Sequence, residues 1–202
     1  MKNVKNKPKI YGLTGGIASG KSITANFFIE HNIKVFDSDK YVKELYLNNS
    51  ELINKVNTKY KIDINTLEGK AKLSNIIFNN ELERMYLNSL IHPLVFQGID
   101  EFIENNIKED FLIIDMPLLF EVGYDKKVFK SILIYTSKKI QVKRLMNRDS
   151  LSKTNAMKRI NSQLSLKDKK KMADYIIKNN KDKEDLYKQL ESLIGVLKDE
   201  SK

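Results

Sequence analysis

The stretch Lys9-Ile10-Tyr11-Gly12-Leu13-Thr14-Gly15-Gly16-Ile17-Ala18-Ser19-Gly20-Lys21-Ser22 decides how this chain is read. Residues 9–13 are β-prone. Residues 22–31 carry Ile23, Phe27 and Phe28 on one side of a helix, so a glycine-rich loop joins a strand to a helix. Within it, Gly15, Gly20, Lys21 and Ser22 meet the pattern G-x-x-x-x-G-K-[ST]. Successive backbone N–H groups must turn inward toward phosphate oxygens, which takes glycine-compatible dihedrals. The N-terminus of the following helix adds positive potential at the same point. Lys21 then reaches the β and γ phosphates of a nucleotide, and the Ser22 hydroxyl ligates Mg²⁺. A chance glycine-rich turn is the alternative, and the strand-loop-helix context argues against it.

Working outward, residues 35–36 form a second short strand stopped by Asp37-Ser38-Asp39, and 40–47 read as a helix. Residues 51–106 hold no convincing strand. Apolar residues fall at helical spacing over 67–78 and 82–102, with Pro93 expected to interrupt the second run and start a new helix. Residues 111–114 and 131–135 are continuous apolar runs of the kind buried on both faces of a parallel sheet. A helix over 138–146, a polar helix over 154–164, a strand over 175–177 and an amphipathic helix over 183–197 complete the pattern. Five strands alternating with helices predict a three-layer α/β fold with a five-stranded parallel sheet, in a single domain carrying a helical insertion.

The 202 residues are 41% hydrophobic and 31% charged, which suits a soluble globular chain. The absence of cysteine excludes a disulfide scaffold, a thiolate metal site and a cysteine nucleophile. Residues 1–9 are basic and polar without the apolar run of a signal peptide, and are expected to form a disordered tail. No segment approaches the roughly 18 continuous apolar residues of a membrane span, so a cytoplasmic location is expected. The net charge of +10 raises nucleic acid as a partner. The Lys-rich composition is the favoured explanation, with lysines on loose solvated faces such as 167–171, and no nucleic-acid motif is present.

The phosphate loop alone does not name a reaction. A GTPase would carry Asp-x-x-Gly and Asn-Lys-x-Asp, and neither occurs. Asp37 and Asp39 follow the second strand. If that segment stays extended, both carboxylates project to one side, where one can take or orient a proton from an attacking hydroxyl. The competing role is helix capping by Ser38 or Asp39. Asp115 ends its strand and reads equally as a Mg²⁺ ligand or as a cap or turn residue. Arginine is scarce, yet Arg144, Arg148 and Arg159 cluster in one stretch. Arg144 and Arg148 share a helical face and suit the spread charge of a transferring phosphoryl group. His92 before Pro93 is a weak signal, since a lone histidine is more often structural.

These residues, in order, resemble the dephospho-coenzyme A kinase family from Ile10 to about Leu193. Besides the loop, the resemblance rests on Val35-Phe36-Asp37-Ser38-Asp39, Leu90-Ile91-His92-Pro93-Leu94, Asp115-Met116-Pro117-Leu118-Leu119-Phe120-Glu121, residues 141–149, Arg159-Ile160-Asn161-Ser162-Gln163 and Ala173-Asp174-Tyr175-Ile176-Ile177-Lys178-Asn179. The resemblance implies ATP-dependent phosphorylation of the ribose 3′-hydroxyl of dephospho-coenzyme A, the last step of coenzyme A synthesis. It also implies a core (about 9–48, 107–136 and 169–200), a helical coenzyme-A-binding lobe (about 49–106) and a lid (about 137–168). Asp39, Lys21, Arg144 and Thr14 match its catalytic positions, with Asp39 as the base. Gly16, Ala18, Ser19, Gly20, Lys21, Ser22, Ile23, Arg148 and Asn179 match its ATP contacts. Asp37, Asp39, Lys70, His92, Pro117 and Leu118 match its acceptor contacts, and Ser22 its Mg²⁺ ligand. The partners implied are ATP and dephospho-coenzyme A, with no nucleic acid and no membrane, in a monomer or small homo-oligomer. Ala18 replaces a customary glycine, which is a mild change if its dihedrals stay ordinary. Ile23 replaces threonine, Lys70 replaces arginine, and the glycine after Asn179 is missing. The rival within the class is another nucleoside or small-metabolite kinase, against which the His-Pro and Pro-Leu-Leu-Phe-Glu segments speak.

Overall fold

A computed structural model describes residues 7–202; residues 1–6, most of the expected tail, lie outside it. The chain alternates β1 (Lys9–Gly15), α1 (Lys21–Glu30), β2 (Val35–Asp37), α2 (Ser38–Asn48), α3 (Ser50–Tyr60), α4 (Leu67–Asn79), α5 (Glu81–Asn105), β3 (Phe111–Asp115), β4 (Lys130–Tyr135), α6 (Lys138–Asp149), α7 (Lys153–Asn161), α8 (Leu166–Met172), β5 (Tyr175–Lys178) and α9 (Lys183–Glu200). A 3-10 turn, Tyr124–Lys127, precedes β4. The five strands form one sheet in the order β2-β3-β1-β4-β5. β1 lies at its centre, parallel to β3 and β4, with Leu13 opposite both Asp115 and Ile132.

The chain forms two compact units: the residues up to Phe36 together with Asn105–Lys202, and Asp37–Glu104. In the first unit, strand residues of one parity bury one face of the sheet. Tyr11, Leu13, Ile113, Ile132 and Ile134 pack with Phe27 and Phe28 of α1 and with Leu186, Leu190, Leu193, Ile194 and Leu197 of α9. The α9 residues follow the 4-3-1-3 spacing of a helix stripe, and each such side chain contributes about 1.5–3 kcal/mol when fully buried. On the other face Gly12 leaves room for Leu119, whose side-chain carbons would stand 2.8 Å from a Cβ placed there.

The lower end of the sheet is closed by polar contacts. Tyr11 Oη and Tyr175 Oη donate to the Glu200 carboxylate at 2.8 and 2.6 Å, and Lys130 Nζ pairs with it. Lys130 and Tyr175 together hold the Glu200 carboxyl down to about 2. The last turn of α9 is thereby tied to three strands.

The second unit is wholly helical after Asp37. α2, which the sequence pattern groups with the core, belongs here: Gly98 of α5 admits the Tyr41 ring of α2, whose Cζ would stand 2.3 Å from an added Cβ. The expected break at Pro93 does not occur. α5 runs unbroken through it, because Leu87, Ile91, Val95, Gly98 and Ile99 form one buried stripe on both sides. Tertiary packing outweighs the single backbone hydrogen bond that proline removes. α3 and α8 were not foreseen as helices. Each starts on a polar cap, Asn49 accepting from Leu52 N and Ser165 from Asp168 N.

Candidate active site

β1 ends at Gly15 and α1 begins at Lys21, so residues 16–20 make the whole loop. Ser19 N donates to Gly16 O at 3.0 Å, closing the turn. Gly20 has φ 102°, which favours glycine. Ala18 has φ 60°, so the condition under which alanine would be a mild change here, ordinary dihedrals, is not met. A left-handed non-glycine residue costs roughly 1–2 kcal/mol, a strain the tight loop between β1 and α1 imposes. The Ser19 hydroxyl is buried with no hydrogen-bond partner among the described residues.

Lys21 Nζ lies 2.7 Å from Asp115 Oδ1, and the Asp115 side chain is only 2% exposed. Asp115 reaches it because β3 is the immediate neighbour of β1, in register at Leu13. The third acid is thus paired with the loop lysine. The oxygen donors here suit Mg²⁺. Ser22 presents an exposed hydroxyl on the first turn of α1, and Asp115 presents a carboxylate. No group of three or more potential His, Cys, Asp or Glu ligands occurs among the described residues. A magnesium ion would therefore depend on phosphate and water oxygens for most of its shell, as this ion generally does.

Three amide side chains brace the loop. Asn179 Nδ2 donates to Ser19 O at 2.8 Å, and Asn179 Oδ1 accepts from Arg144 Nη2 at 3.3 Å. Its own N–H is fixed on Tyr135 O at 2.8 Å, so this residue, expected near adenine, forms a buried bridge between loop and α6. Gln141 of α6 donates to Ile17 O at 2.7 Å, and Gln163, just past α7, accepts from Ile17 N at 3.2 Å. Both polar groups of one loop residue are thus held by the segment expected to be a lid. α6 and α7 form a hairpin around Val142, Leu145, Ala156 and Ile160, against which Ile17 and Ala18 pack. Arg148 and Arg159 both pair with Asp149, at 2.7 and 2.8 Å.

Beyond β3 the chain turns back over the sheet. Pro117 O accepts from Thr14 Oγ1 at 3.0 Å and from Lys169 Nζ at 2.7 Å. Lys169 is fully buried, so the expectation that residues 167–171 form a loose solvated face fails at that position. Gln141, Gln163, Asp115 and Lys169 are the site residues that sequence reasoning assigned no such role. The glutamines lie in segments already singled out. Lys169 is hidden within a run of lysines.

The second unit carries Asp37, Asp39, Lys70 and His92. Asp37 is the N-cap of α2, accepting from Lys40 N at 2.9 Å, and the helix begins at Ser38. Asp39 therefore stands in the first helical turn, where a carboxylate complements the helix dipole, and not on an extended segment. Burial lowers the His92 pKa, and its ring lies 6.1 Å from that of Phe96. Lys70 lines a cavity of about 520 Å³ between α2 and α4, together with Lys43, Tyr46, Leu47, Leu73 and Ile77. The Tyr46 hydroxyl is pushed up to about 12 by burial. The cavity is largely apolar, with two ammonium groups at its walls.

A loop built this way holds nucleotide phosphates, and the arginine-bearing hairpin packed on it suits transfer of a phosphoryl group: the chain is a phosphate-loop kinase. A model of the dephospho-CoA kinase family matches residues 9–185. A dephospho-CoA kinase of Staphylococcus aureus is 38% identical over 191 residues, covering 93% of this chain and 92% of the relative. The structure of a dephospho-CoA kinase from Campylobacter jejuni superposes with a TM-score of 0.66 at 30% identity, covering 92% of this chain and 95% of that one. The Thermus thermophilus protein TT1252 superposes with a TM-score of 0.82 at 26% identity, covering 95% and 99%. The chain belongs to the dephospho-CoA kinase family, which phosphorylates dephospho-CoA with ATP in the last step of coenzyme A biosynthesis. A shikimate kinase from Bacteroides thetaiotaomicron, at 16% identity and a TM-score of 0.53, shares the fold.

Proposed function

We propose that this chain moves the γ-phosphoryl group of ATP to the ribose 3′-hydroxyl of dephospho-CoA, giving coenzyme A and ADP. The observation that carries the proposal is the Lys21–Asp115 pair beneath the glycine loop, in a chain of this family. The loop amides and Lys21 would hold the β and γ phosphates. Arg144, steadied by Asn179, would meet the charge that spreads over the γ-phosphoryl oxygens. Arg148 would add to it on leaving Asp149. Ser22, with Asp115 nearby, would hold Mg²⁺, which when bound neutralises phosphate charge. Asp39, exposed on the first turn of α2, is the residue we assign to take or orient the 3′-hydroxyl proton.

For the acceptor, Lys70 and Lys43 offer ammonium groups to its phosphates, and the apolar cavity beside them suits its aliphatic arm. Lysine in place of the family's arginine keeps the charge and loses the bidentate fork. His92, Pro117 and Leu118 are assigned to the same substrate. Closure of 137–168 over the nucleotide would exclude water, which competes with the ribose hydroxyl. No helix among the described residues is long and apolar enough to cross a membrane. We place the reaction in the cytoplasm, by a monomer or small homo-oligomer.

A coupled assay with ATP, Mg²⁺ and dephospho-CoA tests the proposal, with nucleoside monophosphates as alternative acceptors. Coenzyme A should form, and Asp39→Asn should lower kcat by about 10²–10⁴. A wild-type chain that makes no coenzyme A would overturn the reaction. An Asp39→Asn variant at full rate would overturn only the assignment of the base.

A further inference from the structure

Lys169 is fully buried, an unusual place for an ammonium group. Removing such a charge from water costs several kcal/mol, and a leucine or methionine would fill the space more cheaply. Its surroundings show what the charge does. Nζ donates to Pro117 O at 2.7 Å and pairs with Glu121 Oε1 at 2.8 Å. Glu121 Oε1 also accepts from Leu164 N at 3.1 Å, where the chain leaves the α6–α7 hairpin. The second lone pair of the Pro117 carbonyl is taken by Thr14 Oγ1 at 3.0 Å. One ammonium group therefore spans three segments: α8, the turn after β3, and, through Glu121, the return from the hairpin. Burial pulls the Lys169 pKa down, the neighbouring Glu121 pushes it up, and Lys21 lies close enough to oppose its charge.

We propose that Lys169 is a positioning residue for the acceptor substrate, fixing the Pro117–Leu118 turn through the Pro117 carbonyl and the Glu121 carboxylate. It touches neither substrate, since its side chain has no exposed surface. It acts through the turn, and it rests on the assignment of Pro117 and Leu118 to dephospho-CoA made above. Lys21, the nucleotide's lysine, is held by Asp115 and not by Lys169.

The test is steady-state kinetics on the full chain, varying each substrate in turn, with thermal unfolding measured alongside. Lys169→Met should raise KM for dephospho-CoA about tenfold, as a misplaced turn does, and leave KM for ATP within about twofold. Lys169→Arg, which keeps the charge and two donors, should return most of that loss. Glu121→Gln loosens the same strut from its partly exposed end and should raise KM for dephospho-CoA by about two- to threefold, whether or not Lys169→Met folds. A Lys169→Met enzyme with a lowered Tm and unchanged KM values would make the residue merely structural and overturn the proposal. So would an equal rise in both KM values, or an unfolded Lys169→Met together with an unchanged KM in Glu121→Gln. A wild type inert toward dephospho-CoA would remove the assignment of the turn as well.

Discussion

Gly20→Ala probes how the phosphate loop is held. Two separable effects meet there. The first is backbone strain: Gly20 has φ 102°, and a side chain in a left-handed conformation costs roughly 1–2 kcal/mol. The second is space: a Cβ on Gly20 would stand 2.1 Å from Asn179 Nδ2. That nitrogen ends a side chain, but a buried one bonded to Ser19 O at 2.8 Å, while its amide oxygen accepts from Arg144. Moving it strands a buried carbonyl, worth about 1–3 kcal/mol. The expected loss is therefore about 2–5 kcal/mol. Gly123→Ala supplies the control. Its φ is 70° with nothing within 4 Å of the added carbon, so it carries the strain alone, about 1 kcal/mol. The assay is urea unfolding of both variants and of the Asn179→Ala pair, read as a double-mutant cycle. In the Asn179→Ala background Gly20→Ala should fall to the strain alone, a coupling of about 1–3 kcal/mol. Equal losses for Gly20→Ala and Gly123→Ala, or an unchanged loss in the Asn179→Ala background, would refute the reasoning.

Two further outcomes follow from the same structure. Glu200→Gln should destabilise the chain at neutral pH by about 1–2 kcal/mol, from its hydrogen bonds to Lys130 and two tyrosines in a partly exposed setting. Because the folded carboxyl is held down from 4.5 to about 2, its stabilisation is complete above about pH 5 and fades as pH falls through that interval; a gap between variant and wild type that stayed constant from pH 6 to pH 2.5 would contradict this. Gln141→Ala and Gln163→Ala each release one side of Ile17 and should weaken ATP binding by about two- to tenfold; calorimetric titration showing the double variant at wild-type affinity would disprove the coupling of hairpin to loop.

Much of this molecule is written in short-range pattern. The loop, its lysine and the buried strands could be read directly, because a glycine-rich turn between strand and helix has few alternatives and an apolar run such as Phe-Leu-Ile-Ile can only be buried. The ordered motifs named the family. Local pattern failed where local rules compete. Pro93 reads as a break, yet the stripe from Leu87 to Ile99 keeps α5 whole. Asp37 and Asp39 would project to one side if their segment stayed extended, yet the first caps α2 and the second lies within it. Ala18 reads as a mild departure only at ordinary dihedrals, yet its φ is 60°.

What the sequence by itself determined is the donor half: the nucleotide loop, the buried apolar strand that ends at Asp115, and the class of reaction. Tertiary structure decided which side chains hold that loop. Lys21 meets Asp115 across 94 positions of sequence, Ile17 meets Gln141 and Gln163 across 124 and 146, and Pro117 meets Lys169 across 52. Such partners carry no local signature, since a lysine in a run of lysines shows its burial only when parallel strands and their crossovers bring it against the turn that follows β3.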